Sequence, residues 1–173
     1  DLTYDIKRVR FDFQNGETMD FKPGQFIQIK VPGWETVRAY SIASNPKNNN
    51  YVELMIRQVY KGEATTFVHK ALQEADIIDV DGPFGDFYLQ EESKRDIICI
   101  AGGSGMAPIK SILEYLKDRG MQRKVKFFFG ARTQKDLFLT EELNQLAKDY
   151  PNFEYIPALS HADDDETWTG ARG

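Results

Sequence analysis

Arg38 and Tyr40 stand two apart in the segment VRAYSIAS, so on an extended strand both side chains leave one face. The arginine carries a planar fork suited to a pyrophosphate, and the tyrosine a flat ring able to stack on a flat heterocycle. Taken alone, a surface arginine beside a cross-strand tyrosine is the commoner explanation of such a pair. Ser41 follows directly, and strict alternation sends its hydroxyl to the opposite face unless the strand kinks. In GEATTF, Gly62 followed by Thr65 and Thr66 opens a short helix, whose first N–H groups and hydroxyls suit a phosphate. A single threonine acting as N-cap is the competing explanation. In AGGSGMAPIK, Gly102, Gly103 and Gly105 follow an apolar run, and glycine lets an anion approach the backbone closely. Pro108 suits a first helical turn, where its missing N–H would be unpaired anyway. The spacing is GGxG rather than GxGxxG, so this segment alone is either a phosphate cradle or a plain strand-to-helix connection. GPFGDF adds Gly82, Pro83 and Gly85, expected to form a rigid turn near the middle of the chain.

Two kinds of scaffold must position these segments. Up to about residue 92 the pattern has period two, broken by turns. Val9, Phe11 and Phe13 share one face, and Ile27, Ile29 and Val31 another. RAYSIAS, YVELMIRQV and DIIDV read as further strands, with one helix at about Ala64–Leu72. Many short strands with one helix predict a small antiparallel β-barrel. From about Arg95 the period changes. DIICIA is nearly continuously apolar, which predicts a strand covered on both faces. Ile109, Ile112, Leu113 and Leu116 then trace a helical stripe ended by Gly120. KVKFFFG, TEELNQLAKDY and FEYIPALS continue as strand, helix and strand, predicting a parallel α/β unit. The expected architecture is a β plus α/β pair of domains, over residues 1–92 and 95–173. The second is expected to be incomplete at its C-terminal end, and both chain ends look cut from something larger.

Composition narrows the chemistry. The 173 residues are 41% hydrophobic and 28% charged, as in an ordinary globular protein, with a formal net charge of −5 and no dense Lys/Arg cluster. Nucleic acid is therefore not an expected partner. No apolar stretch is long enough to span a bilayer. One cysteine, Cys99, and two histidines, His69 and His161, rule out an internal disulfide or a four-cysteine cluster and argue against a protein-held metal. Redox chemistry here has to come from an organic cofactor.

Taken in order, RxYS, the GEATT helix start, GPFG and GGSGMAP after a buried strand resemble the ferredoxin–NADP reductase superfamily. RAYS, GPFGDF, AGGSGMAPIKS, FFFGAR and TWTG look most like the flavin subunit of sodium-translocating NADH:quinone reductases. The reductase components of multicomponent oxygenases look similar too. The resemblance implies FAD on the barrel, with Arg38 on its pyrophosphate, Tyr40 stacked on the isoalloxazine and Ser41 near flavin N5. Tyr40 and Ser41 are thus the residues expected at the reacting ring. It also implies Arg57 beside the flavin, Gly62, Ala64, Thr65 and Thr66 as a second FAD phosphate clamp, and Gly85 on the FAD side. Gly102, Gly103, Ser104, Gly105, Met106, Ala107 and Pro108 would receive NADH or NADPH, and Gly130 and Arg132 would line its adenosine side. Arg132 suits a 2′-phosphate, but similar sequences with the same GAR use NADH, which is favoured.

The implied activity is hydride transfer from NADH to FAD, then single-electron delivery to an iron–sulfur domain or protein. Such a transfer needs stacking and water exclusion rather than a general base. The expected location is the cytoplasm or the cytoplasmic face of a membrane, with a membrane complex possible for the parent protein. The family's Cys-Gly-Pro-Pro turn does not occur in this sequence. That departure keeps a second reading open, a flavin-binding relay or regulatory module with an incomplete nucleotide pocket. A cofactor-free binding protein is a third.

Overall fold

A computed structural model describes residues 1–33, 37–162 and 167–173. The period-two segments become strands β1 (Ile6–Asp12), β2 (Phe26–Lys30), β3 (Val37–Ser41) and β4 (Tyr51–Arg57). Helix α1 (Glu63–Lys70) and strand β5 (Asp79–Phe84) follow. Among the described residues these strands form two antiparallel sheets, β1–β4 and β3–β2–β5, linked by an isolated bridge between Ile42 and Leu54. The sheets enclose a core of Ile27, Ile29, Ile42, Val52, Leu54 and Ile56, with Val68 of α1. Val9, Phe11 and Phe13 pack on its margin, on the face their spacing predicts.

The GPFGDF segment departs from expectation. Gly82, Pro83 and Phe84 are the end of β5 rather than a turn, and Asp76, Ile77 and Ile78 lie before the strand. Glycine and proline ordinarily punctuate strands, but β5 is the outer strand of its sheet, where a proline without an N–H is tolerated.

The second half is strand β6 (Ile97–Gly102), a 3₁₀ turn at Gly103–Gly105, helix α2 (Met106–Asp118), strand β7 (Val125–Ala131), helix α3 (Thr140–Asp149) and strand β8 (Phe153–Leu159). A two-residue strand β9 (Ala171–Arg172), beyond the three expected, completes a parallel sheet in the order β6–β7–β8–β9. The predicted stripe Ile109, Ile112, Leu113 and Leu116 is buried against Cys99, Phe127 and Phe129. Burying each such side chain is worth roughly 1.5–3 kcal/mol, whereas an i,i+4 ion pair adds only about 0.3–0.5 kcal/mol. The apolar stripe therefore seats α2.

Coverage of both sheet faces is not what the structure shows. Ile98 and Ile100 are 68% and 77% exposed, and Phe128 is exposed beside them. Because the strands are laid down sequentially, successive same-handed crossovers put α2 and α3 on one side. Leu143 of α3 accordingly joins α2 in one core.

The two halves share that core, which also includes Ile6, Ala43, Met55 and Leu89. Polar contacts add direction. Ser111 Oγ donates to the Ser44 carbonyl at 2.8 Å, and Asn45 Nδ2 donates to Asp118 Oδ2 at 3.0 Å. Lys110 Nζ lies 3.3 Å from the Ala43 carbonyl and 3.4 Å from Glu53 Oε2, and also pairs with Glu114. α2 thus carries the start of its helix to a fixed place beside β4.

Candidate functional site

β3 is the outer strand of its sheet, and its register sets Arg38 opposite Ile29 and Tyr40 opposite Ile27. The two side chains therefore share a face, as their spacing requires. Arg38 is exposed, and its Nη1 donates to the neighbouring Val37 carbonyl at 3.0 Å. Tyr40 is half-buried; burial raises its phenol above the ordinary value, and the positive Arg38 opposes the rise. Ser41 is half-buried at the strand end, opposite Phe26, where the β2–β5 register shifts. Gly85 lies close by: a Cβ there would stand 2.8 Å from the Phe26 ring, and its φ is +97°. This group presents an uncommitted cationic fork and a half-exposed ring.

α1 starts at Gly62 without a side-chain cap. Its first intrahelical bond runs from Thr66 N to the Gly62 carbonyl, leaving the N–H groups of Glu63, Ala64 and Thr65 outside the helix ladder. Thr65 does not cap the helix. Its hydroxyl donates back to the Gly62 carbonyl at 3.1 Å and accepts from Val59 N at 3.1 Å, pinning the preceding loop. Ala64 is buried in the core. Thr66 instead lines a cleft with Gln58, Tyr60, Lys61 and Lys70. Its two cations, Lys61 and Lys70, suit that cleft to a phosphate.

The glycine turn borders a second cleft, formed by Gly102, Gly103, Gly130, Ala131 and Arg132 with Arg57 on the barrel side. Gly102 and Gly130 are register partners at the strand ends, and a Cβ on Gly102 would come 3.0 Å from the Gly130 carbonyl. Gly103 has φ +53°, and a Cβ there would meet the Arg57 guanidinium at 2.8 Å. Ser104 and Gly105 complete the turn, and α2 begins with no side-chain cap. Met106 and Ala107 are 0% and 1% exposed, so neither presents a side chain to a ligand. Pro108 sits in the first turn of α2, as expected.

Tyr4 and Asp5 line both clefts and make them neighbours. Arg57 Nε pairs with Asp5 Oδ2 at 3.0 Å. Neither Tyr4 nor Asp5 belongs to a recognisable motif, nor do Asp136 and Ser160, which line the second cleft. Asp136 is already engaged, accepting from Thr133 N and Oγ1, both at 2.9 Å. Arg38, Tyr40, Ser41 and Gly85 lie outside both clefts, on the neighbouring sheet. Among the described residues no cluster of His, Cys, Asp and Glu could hold a metal, and no helix is long and apolar enough to cross a membrane. The donors present (guanidinium forks, an aromatic face, two uncapped helix starts and a glycine cradle) fit two phosphate-bearing, ring-bearing ligands.

Both halves of the chain match known families. Residues 1–88 match the model of an oxidoreductase FAD-binding domain, and residues 99–173 that of an oxidoreductase NAD-binding domain. The chain is 41% identical over 155 residues to the reductase component DmpP of phenol 2-monooxygenase from Pseudomonas sp. strain CF600, covering 90% of this chain and 44% of that protein. It is 30% identical over 209 residues to a subunit of the Na(+)-translocating NADH-quinone reductase of Colwellia psychrerythraea, covering 97% of this chain and 68% of that one. Among solved structures, the Amycolatopsis cytochrome P450 reductase GcoB superposes with a TM-score of 0.89 at 30% identity, over 100% of this chain and 52% of that one. The chain thus spans about half the length of DmpP and of GcoB.

Proposed function

We propose that this chain, which belongs to the family of FAD- and NAD-binding oxidoreductases of the ferredoxin reductase type, is the NADH-oxidising, electron-delivering part of a reductase whose acceptor is an iron–sulfur centre on another domain or protein. The observation that carries this reading is the adjacency of the two clefts through Tyr4 and Asp5, with Arg57 of the barrel lying over Gly103 of the α/β half.

The chemistry that bound FAD supplies is the conversion of a two-electron hydride donor into a source of single electrons. The protein's part is to bind, orient and exclude water. Arg38 holds the FAD pyrophosphate, and Tyr40 stacks on the flavin ring with Ser41 at its edge. The start of α1 and Thr66 take the remaining phosphate charge. The GGSG turn and the start of α2 receive the pyridine nucleotide, with Gly130 and Arg132 on its adenosine side. No side chain in these clefts is required to move a proton.

NADH is the favoured donor, in keeping with the NADH named for the Colwellia relative. Reductase components of a phenol and a propane monooxygenase and of a terephthalate dioxygenase are also among the relatives, which supports delivery of electrons to a partner. Mixing the intact, FAD-loaded protein anaerobically with NADH or NADPH, and then with an oxidised iron–sulfur protein, tests the reading. The expected result is faster flavin reduction by NADH, followed by reoxidation in single-electron steps. Flavin reduction by neither nucleotide refutes it.

A further inference from the structure

The first residues of the chain are folded around Asp5. Leu2 N and Thr3 N both donate to the Ile6 carbonyl, at 2.8 and 3.2 Å, which closes a turn. Inside it the Thr3 hydroxyl donates to Asp5 Oδ1 at 2.8 Å and accepts from Ile6 N at 3.1 Å. Gln58 N donates to the Asp5 carbonyl at 2.7 Å, extending the β1–β4 pairing one step past Ile6 and Arg57. Both carboxylate oxygens are thus engaged, Oδ1 by Thr3 and Oδ2 by Arg57 Nε at 3.0 Å. The Asp5 side chain is only 20% exposed, against 45% for Arg57.

This arrangement constrains the guanidinium. Its Nε edge is taken by Asp5, and its plane lies over Gly103, where an added Cβ would come 2.9 Å from Cζ and 2.8 Å from Nη2. Arg57 lines the cleft it shares with Gly102, Gly103 and Gly130, and its pair with Asp5 is made through Nε rather than the two Nη groups. A long side chain loses much rotamer freedom when it binds an anion, and less if it is already held. By charge alone, however, a carboxylate beside an anion-binding cleft disfavours the anion. Orientation and charge therefore predict opposite effects for the removal of Asp5.

We propose that Asp5 is a positioning residue for nucleotide binding: it holds Arg57 across the glycine turn so that the outer N–H groups of Arg57 meet the pyrophosphate of the pyridine nucleotide. This rests on the reading of that cleft as the nucleotide site.

The test is calorimetric titration of the intact, FAD-loaded protein with NAD+, for the unaltered chain, Asp5→Ala, Arg57→Ala and the double variant, with melting temperature recorded for each. Loss of a hydrogen-bonding charge predicts roughly tenfold weaker NAD+ binding for Arg57→Ala. Coupling between contacting residues predicts about three- to fivefold weakening for Asp5→Ala, despite the lost negative charge. The double variant should bind like Arg57→Ala alone. Asp5→Asn keeps an acceptor for Thr3, so it should hold the turn and still weaken binding; it serves if Asp5→Ala does not fold. Tighter or unchanged binding in the Asp5 variants overturns the role, as does an Asp5 effect that persists undiminished when Arg57 is absent. An unaltered protein that binds no NAD+ refutes the cleft assignment itself, and the role of Asp5 with it.

Discussion

Replacing Gly103 by alanine tests the glycine turn where two independent costs coincide. The residue has φ +53°, and its added Cβ would stand 2.8 Å from Arg57 Nη2. Holding a non-glycine residue in the left-handed region costs about 1–2 kcal/mol. Arg57 is a flexible, half-exposed side chain, so it can swing away, but it then loses its pair with Asp5. At that exposure the pair is worth about 0.2–1 kcal/mol. The combined loss of about 1.2–3 kcal/mol should lower the melting temperature by roughly 2–12 °C in a chain of this size. Gly16→Ala separates the terms, because Gly16 has φ +76° and nothing within 4 Å of the added Cβ. It should show the backbone cost alone and leave NAD+ binding untouched. Gly103→Ala should also weaken NAD+ binding about tenfold through the displaced guanidinium, while FAD content stays unchanged. Melting by differential scanning calorimetry and titration with NAD+ read both effects. If Gly103→Ala matches Gly16→Ala in melting and the unaltered protein in NAD+ affinity, the close approach of Arg57 to the turn has no energetic consequence and the reasoning fails.

Arg38→Ala should weaken FAD binding roughly 10- to 100-fold, the worth of a charged hydrogen-bonding contact, with the melting temperature of the FAD-free protein unchanged because Arg38 is exposed; flavin fluorescence quenching measures it. Lys110 is only 15% exposed and faces Glu53 and the Ala43 carbonyl. Lys110→Ala leaves both unsatisfied at the seam between the halves and should cost about 1–3 kcal/mol of stability in chemical denaturation, short of a fully buried pair. Burial pushes the Cys99 thiol from 9.0 up to about 11. The folded state thus disfavours the thiolate, and its stability is full below pH 9, then falls as pH rises through about 11. Cys99 should resist a thiol reagent at about pH 8 until denaturant is added.

The turns set by local geometry were legible in the sequence. Glycines at 102, 103 and 105 before an amphipathic stripe specify a strand, a tight turn and a helix start, and that is what forms. The pairing of Arg38 with Tyr40 followed from strand alternation alone. What stayed hidden depends on contacts between distant segments. No pattern marks a lone aspartate ahead of the first strand, although Asp5 meets Arg57 more than fifty positions away. Apolar runs report hydrophobicity but not what covers them, so Ile98 and Ile100 read as buried on a strand whose outer face is open. Gly82 and Pro83 read as a turn because their edge position was not visible before the sheet order was known. The N-cap explanation for the threonines fails because the Thr65 hydroxyl bonds backward to Val59 and Gly62.

The central claim is that the barrel face at Arg38 and Tyr40 holds FAD next to a nucleotide cleft closed by the GGSG turn. Anaerobic titration of the intact protein, first with FAD and then with NADH, tests it most directly through the flavin's visible absorbance. The expected result is uptake of one FAD per chain and bleaching of that flavin by one equivalent of NADH. A protein that takes up no FAD, or whose bound flavin is untouched by NADH, contradicts it.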